Sequence, residues 1–83
     1  MECPCCGNLT FENESVGTFE ICPVCFWEDD NIQFEDPDYT GGANKVSRNQ
    51  ARRNYLEFGA SASNYLSHVR PPLPEEIPPS DGE

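Results

Sequence analysis

Two Cys-x-x-Cys pairs constrain the fold of this chain more than any other feature. Cys3 and Cys6 form the first pair, Cys22 and Cys25 form the second, and 15 residues separate the two pairs. Four thiolates at such spacing can converge on one tetrahedral zinc ion. We therefore predict one Zn²⁺ per chain, with these four cysteines as its ligands.

Length and cysteine count indicate what stabilises the chain and where it works. Its 83 residues allow a single domain with a core so small that a metal or disulfides must support it. Five cysteines is an odd number, and no apolar signal segment follows Met1. We therefore expect a reduced, cytoplasmic protein. The chain has no apolar run of transmembrane length, so we also expect no membrane insertion.

The segment between the cysteine pairs has the pattern of a β-hairpin. Residues 9–12 and 18–21 alternate apolar with polar side chains, and residues 13–17 supply turn formers. This hairpin would place four side chains on one face, those of Leu9, Phe11, Phe19 and Ile21. The prediction is a small α+β fold: a zinc-ribbon-like β-hairpin with two zinc knuckles, then a loop, one or two short helices and an extended tail.

A helix is predicted in the second half of the chain. Ser47-x-x-Gln50 has the capping-box spacing, and Gly59 is placed to end the helix after Phe58. The preceding residues 32–42 lack helical periodicity and contain Pro37, Gly41 and Gly42, so we predict a loop there.

The C-terminal part divides into a second helix and a tail. Residues 61–69 carry apolar side chains at helical spacing, which predicts a short helix. Residues 71–83 contain five prolines and few apolar side chains, which predicts an extended or disordered acidic tail. The domain itself is therefore expected to span residues 1–70.

Several stretches of the chain are similar to a known family. They cover roughly residues 1–65 and are Cys3–Gly7, Ile21–Asp30, Asp36–Asn44, Gln50–Tyr55 and Phe58–Ala60. In these stretches the chain resembles the small bacterial cysteine-rich proteins named for their Cys-Pro-Cys-Cys start. The resemblance implies a compact metal-binding domain and does not imply a particular reaction.

The charge distribution indicates the kind of partner. The formal net charge is −10, and the ten acidic residues among positions 1–44 have no Lys or Arg among them. Such a field repels nucleic-acid phosphates and attracts a basic protein. We therefore predict a basic protein partner and no nucleic-acid binding. The candidate partner-binding residues follow the second cysteine pair and are Trp27, Glu28, Asp29, Asp30, Glu35, Asp36 and Asp38.

The basic residues cluster directly after the acidic half. Lys45, Arg48, Arg52 and Arg53 lie within nine positions. The simplest interpretation is an internal counter-charge, in which these arginines pair with the acidic half of the chain.

The predicted function is non-catalytic. Four cysteines close a zinc shell, and Cys5 lacks a nearby base that would make it a nucleophile, because the one histidine, His68, is distant in sequence. We therefore predict a structural zinc-binding domain that acts as an acidic protein-interaction module. A sharper hypothesis is an immunity or antidote protein for a basic toxin. The alternatives are a rubredoxin-like iron electron-transfer protein and a transcription-associated zinc ribbon.

Overall fold

The computed structural model describes residues 1–79, in which the regular elements are short helices. The α-helices are α1, Asn31–Glu35, and α2, Arg48–Phe58. Two 3₁₀ helices follow, at Ser63–His68 and Pro74–Glu76. Within residues 1–79, no helix combines the length and apolar character needed to cross a membrane.

The predicted β-hairpin is not found in the structure. The described residues contain no β-strand, and their extended segments form one isolated antiparallel bridge, between Ile21 and Glu28. Residues 9–12 and 18–21 do not pair with each other as a ladder. Their backbone groups bond to other parts of the chain.

The first of these segments bonds to Met1 and to the 3₁₀ helix over Pro74–Glu76. The Leu9 N–H donates to the Glu76 carbonyl oxygen at 2.6 Å, and the Phe11 N–H donates to the Met1 carbonyl oxygen at 3.2 Å. The N-terminal ammonium of Met1 returns a bond of 2.8 Å to the Phe11 carbonyl oxygen. These partners satisfy the polar backbone groups that a hairpin would have used.

The second segment bonds to the residues just after the second cysteine pair. The Phe19 N–H donates to the Asp29 carbonyl oxygen at 3.1 Å, and the Cys22 N–H donates to the Trp27 carbonyl oxygen at 2.9 Å. The second cysteine pair therefore forms a tight connection between two antiparallel stretches. The two cysteine pairs belong to separate loops. The segment between them does not form the predicted hairpin.

Helix α2 confirms the predicted start and end signals. The Ser47 hydroxyl accepts the Gln50 N–H at 3.1 Å, which satisfies one of the free donors of the first turn. Gly59 has a φ of 89°, and its N–H donates to the Tyr55 carbonyl oxygen at 2.9 Å. The helix buries Ala51 completely against the core.

Helix α1 lies where a loop was predicted. Asp30 caps it, because its Oδ1 accepts the N–H groups of Ile32 at 2.8 Å and Gln33 at 3.2 Å. Five residues are too few to show helical periodicity, which explains the difference. The spacing Asp30-x-x-Gln33 was the available signal, since an acceptor followed three residues later by Gln marks a helix start.

The core is small and rich in cysteine. It contains Cys3, Cys5, Phe11, Cys22, Val24, Cys25, Trp27 and Ala51. The apolar face predicted for the hairpin is corrected accordingly: Phe11 is buried, whereas Leu9, Phe19 and Ile21 are 42–50% exposed. The alternating pattern located the apolar residues but not the side of the chain that is buried.

The C-terminal segment returns to the body of the protein. The predicted short helix is present as a 3₁₀ helix over Ser63–His68. Beyond it, the Arg70 guanidinium contacts the Glu76 carboxylate through bonds of 2.8 and 3.0 Å. This contact and the Leu9 bond hold the first part of the predicted tail, while its residues 80–83 lie outside the described residues.

Candidate metal centre

The structure brings the four predicted cysteines together. The Sγ atoms of Cys3, Cys6, Cys22 and Cys25 all lie within 4.8 Å of one another. The two shortest separations join the pairs across the site, 3.5 Å from Cys3 to Cys25 and 3.7 Å from Cys6 to Cys22. Tetrahedral ligands with metal–sulfur bonds of about 2.3 Å stand about 3.8 Å apart. The four thiols therefore fit a single tetrahedral ion.

The two cysteine turns have matching backbone geometry. In the first knuckle, Cys3–Gly7, the Gly7 N–H donates to the Cys3 carbonyl oxygen at 2.9 Å. In the second knuckle, Cys22–Phe26, the Phe26 N–H makes the same bond to Cys22 at 2.8 Å. Gly7 and Phe26 have φ values of 78° and 69°. Each cysteine turn therefore ends at a residue with a left-handed backbone conformation.

Phe26 is an unusual residue for this conformation, and its ring contacts suggest why it is there. A residue other than glycine pays a steric cost in the left-handed region. The Phe26 ring centroid lies 4.6 Å from that of Tyr65 and 5.3 Å from that of His68. The second knuckle therefore anchors the 3₁₀ helix over Ser63–His68, and His68 contacts this ring outside the four-cysteine group.

The four thiols affect one another's protonation. The neighbouring thiols, first that of Cys25 and then that of Cys3, lower the pKa of the Cys22 thiol, and the neighbouring Cys22 thiol raises the pKa of Cys25. The Thr10 hydroxyl lies 3.0 Å from the Cys22 sulfur and adds a further polar contact. Binding of a metal ion requires thiolates, so protons held in this group must leave as the ion enters.

Cys5 is not a member of the four-cysteine group. Its side chain is 5% exposed and belongs to the apolar core. Three of the four grouped cysteines are also buried, and Cys6 is half-buried. Cys5 is therefore a buried core residue beside the four-cysteine group and not one of its candidate metal ligands.

Trp27 and Asp29, two of the predicted partner-binding residues, are fully buried. Trp27 packs in the core with the cysteines. One oxygen of Asp29, Oδ2, accepts the N–H groups of Gly17 and Thr18 at 3.0 and 3.1 Å, and it also accepts the Thr18 hydroxyl at 3.1 Å. Both side chains hold the fold together and do not reach the surface.

The other predicted partner-binding residues differ in exposure. Asp30 is 6% exposed; besides capping α1, it accepts the Ala43 N–H at 2.9 Å. That bond and those from the start of α1 hold the pKa of the Asp30 carboxyl below its usual value. Glu28 is half-buried, and three residues at the end of α1 and just after it are exposed, namely Glu35, Asp36 and Asp38.

Two buried amides were missed by the sequence reasoning. The Gln33 Nε2 donates to the carbonyl oxygens of Tyr39, Asn44 and Val46 at 3.0–3.1 Å. Its Oε1 accepts both the backbone N–H and the Nδ2 of Asn44. This pair fixes residues 36–46 against α1. No local pattern marks a glutamine for such a role, because all its partners except Tyr39 lie more than ten positions away in sequence.

The arginines do not form the ion pairs predicted for them. Within residues 1–79 the one ion pair joins Arg70 to Glu76. Arg48 instead donates its Nε to the Pro4 carbonyl oxygen at 3.0 Å and its Nη1 to the Phe34 carbonyl oxygen at 3.3 Å. Arg48 therefore ties α2 to the first knuckle and to α1 through neutral acceptors.

Comparison with known proteins agrees with the resemblance seen in the sequence. A family model described as "Cysteine-rich CPCC" matches residues 1–76. A comparison with curated proteins finds none that matches the chain.

Proposed function

The chain belongs to the cysteine-rich CPCC family, and we propose that it is a structural zinc-binding domain that acts as an acidic protein-interaction module. The proposal has two parts, the identity of the ion and the role of the acidic surface.

The donor set supports a structural ion. A tetrahedral group of four thiolates suits zinc or iron, and the four cysteine sulfurs would fill every position of such a shell. A closed shell leaves no coordination position for a substrate or a reactive water, which supports a role without catalysis. Iron in a rubredoxin-like electron-transfer site is the alternative. Visible absorption of the purified protein separates the two, because a ferric tetrathiolate is red and its zinc counterpart is colourless.

One observation carries the proposed interaction role. Glu35, Asp36 and Asp38 are exposed at the end of α1 and in the turn after it, and no Lys or Arg of residues 1–79 lies within 4.0 Å of their carboxylates. We call these three residues the acidic surface. Like charges this close in sequence repel each other, and a basic partner would relieve that repulsion.

The sharper form of the proposal is an immunity or antidote protein for a basic toxin. A small inhibitor with a net charge of −10 suits a basic cleft, such as that of a nuclease. The same surface disfavours the third candidate, a transcription-associated zinc ribbon that contacts nucleic acid directly, because it repels phosphates.

The test compares two variants of equal net charge. The first neutralises the acidic surface through Glu35→Gln, Asp36→Asn and Asp38→Asn, which keep the hydrogen-bond acceptors. The control neutralises three exposed acids elsewhere, Glu14, Glu57 and Glu75. Tagged protein from the source cells should retain a basic protein with wild type and with the control, and lose it with the first variant.

Association kinetics with the recovered protein complete the test. The association rate should fall as salt rises, because the Debye length shrinks from about 30 Å at 0.01 M to about 10 Å at 0.1 M. The first variant should slow association more than dissociation. If both variants slow association equally, the net charge of the protein and not the acidic surface determines the association rate. That result would contradict the proposed role of the acidic surface.

A further inference from the structure

A cavity of about 260 Å³ lies between the first knuckle and helix α2. Glu2 and the knuckle line one side of it, and Arg48, Arg52, Tyr55 and Leu56 line the other. We infer that this cavity binds a small phosphate-bearing anion. This site is separate from the acidic surface, and the inference does not depend on a basic protein partner.

Arg48 is held in place at the cavity. Its Nε and Nη1 bond to the carbonyl oxygens of Pro4 and Phe34, and its guanidinium carbon lies 4.7 Å from the centre of the Phe34 ring. A guanidinium carries five N–H donors, so donors at Nη1 and Nη2 remain for a ligand. A side chain already ordered in this way loses little conformational entropy when an anion binds.

Arg52 lies one helical turn after Arg48 and therefore on the same face of α2. Like charges at this spacing destabilise a helix, and the nearby charge of Arg52 adds to desolvation in lowering the pKa of Arg48. The chain has fifteen acidic residues, yet none of those in residues 1–79 lies within 4.0 Å of either guanidinium. The carboxylate of Glu2, which lines the cavity, is among those beyond this distance, so an anion in the cavity would be the direct ion-pair partner that both guanidiniums lack.

Tyr55 adds a neutral donor. Its hydroxyl oxygen accepts the Asn8 Nδ2 group at 3.2 Å, which leaves its own O–H to donate. Burial raises the pKa of Tyr55, so the hydroxyl keeps its proton throughout the neutral range.

The donors and the size of the cavity indicate the class of anion. Two guanidiniums and a hydroxyl offer more donors than the two oxygens of a carboxylate can accept, whereas a phosphate group offers at least three free oxygens. The volume lies just under the range of small-molecule sites, which begins near 300 Å³. Leu56 is 86% exposed at the rim and offers apolar contact to a small organic group. Free phosphate and a phosphate monoester share the required chemistry.

A competing explanation is that the two arginines only offset the negative charges of the thiolates and of Glu2. Glu2 lines the same cavity as Cys3, Cys5 and Cys6, and the charges of Cys3 and Glu2 act against desolvation by raising the pKa of Arg48. Under this explanation Arg52→Gln would weaken metal binding, and no anion would bind. The two explanations therefore predict different results for one variant.

The experiment titrates the metal-loaded full chain with inorganic phosphate and with glycerol phosphate at constant ionic strength. NMR follows the backbone amides of the first knuckle and the arginine Nε–H signals, with acetate as the control anion. Both phosphates should bind saturably, and Arg52→Gln should weaken binding about tenfold while metal content stays unchanged. Arg53→Gln is the matched control, because Arg53 is exposed and does not line the cavity.

The relative affinities of the two probes identify the ligand. Tighter binding of glycerol phosphate assigns the site to a phosphate monoester, and equal binding assigns it to the phosphate group itself. No saturable binding of either probe up to about 10 mM, equal weakening by Arg52→Gln and Arg53→Gln, or metal loss in Arg52→Gln without anion binding would each overturn the inference.

Discussion

The ring of Phe26 lies 4.6 Å from the ring of Tyr65, and Phe26 makes this contact from a left-handed backbone with a φ of 69°. The equivalent position of the first knuckle is Gly7, with a φ of 78°. The second knuckle thus accepts a steric cost in its backbone and gains an aromatic contact that holds the C-terminal segment.

Replacing Phe26 separates these two effects. Phe26→Gly should remove a backbone cost of about 1–2 kcal/mol and lose aromatic contacts of about 0.5–1.5 kcal/mol together with the apolar burial of the half-buried ring, so the two effects oppose each other. Hydrogen exchange of residues 63–68 should become faster in the metal-loaded protein. Phe26→Leu, the control, keeps the backbone cost and an apolar side chain and loses only the aromatic contacts. Unchanged exchange in Phe26→Gly would mean that the ring does not anchor this segment.

The ligand assignment predicts opposite results for two cysteines. Cys22→Ser should abolish binding of one equivalent of metal and unfold the core, because a structural zinc ion contributes on the order of 10 kcal/mol to folding. Cys5→Ala should keep the metal and cost on the order of 1 kcal/mol, as for a small core deletion. Metal analysis and the dispersion of amide signals by NMR measure both effects. Equal damage from the two changes would require a different ligand set.

Asp30 should contribute to stability throughout the neutral and mildly acidic range. Asp30→Ala removes the cap of α1 and the bond from Ala43, so we expect a loss of about 1–2 kcal/mol. Asp36→Ala, at an exposed neighbouring position, should have a smaller effect. Denaturant unfolding of the metal-loaded proteins gives the comparison.

The pH dependence of this difference follows from the lowered pKa of Asp30. A carboxyl whose pKa is lower in the folded protein stabilises it fully above the unfolded pKa of about 3.9. That contribution declines as the pH falls below the unfolded value and is lost once the pH has fallen through the still lower folded value. The difference between wild type and Asp30→Ala should therefore be constant from pH 7 to pH 5. A difference that shrinks across this interval would contradict the bonding of Asp30 described above.

Gly42 and its neighbour Gly41 should respond differently to alanine. A Cβ at Gly42 would lie 2.7 Å from Asp30 Oδ2 and 3.0 Å from Gln33 Cδ, so Gly42→Ala should cost about 1–3 kcal/mol through overpacking. Gly41 has a φ of 83° and open space around its Cα, so Gly41→Ala should cost about 1–2 kcal/mol through the backbone alone. The Gln33 side-chain amide signal should shift in the first variant and stay unchanged in the second. A shift in both, or in neither, would contradict this distinction.

The sequence alone determined the features that depend on short-range rules. The spacing of Cys3, Cys6, Cys22 and Cys25 predicted which four sulfurs meet, and the structure groups the same four. Ser47 predicted the start of α2, because an N-cap bonds to an N–H only three residues away. In each case the local part of the pattern spans three positions, within each Cys-x-x-Cys pair and between Ser47 and Gln50.

Only the tertiary structure decided which groups satisfy the remaining backbone and polar atoms. Leu9 and Phe11 have the pattern of a strand, yet their N–H groups bond to the carbonyl oxygens of Glu76 and Met1, which are distant in sequence. Asp29 lies in an acidic run typical of a charged surface. Its carboxylate is nevertheless buried, and it accepts the N–H groups of residues 17 and 18. A buried backbone group or carboxylate needs hydrogen-bond partners, and the local sequence pattern does not specify which ones. Several groups that are distant in sequence can fill this role equally well. The choice among them depends on how the whole chain packs around its few buried side chains.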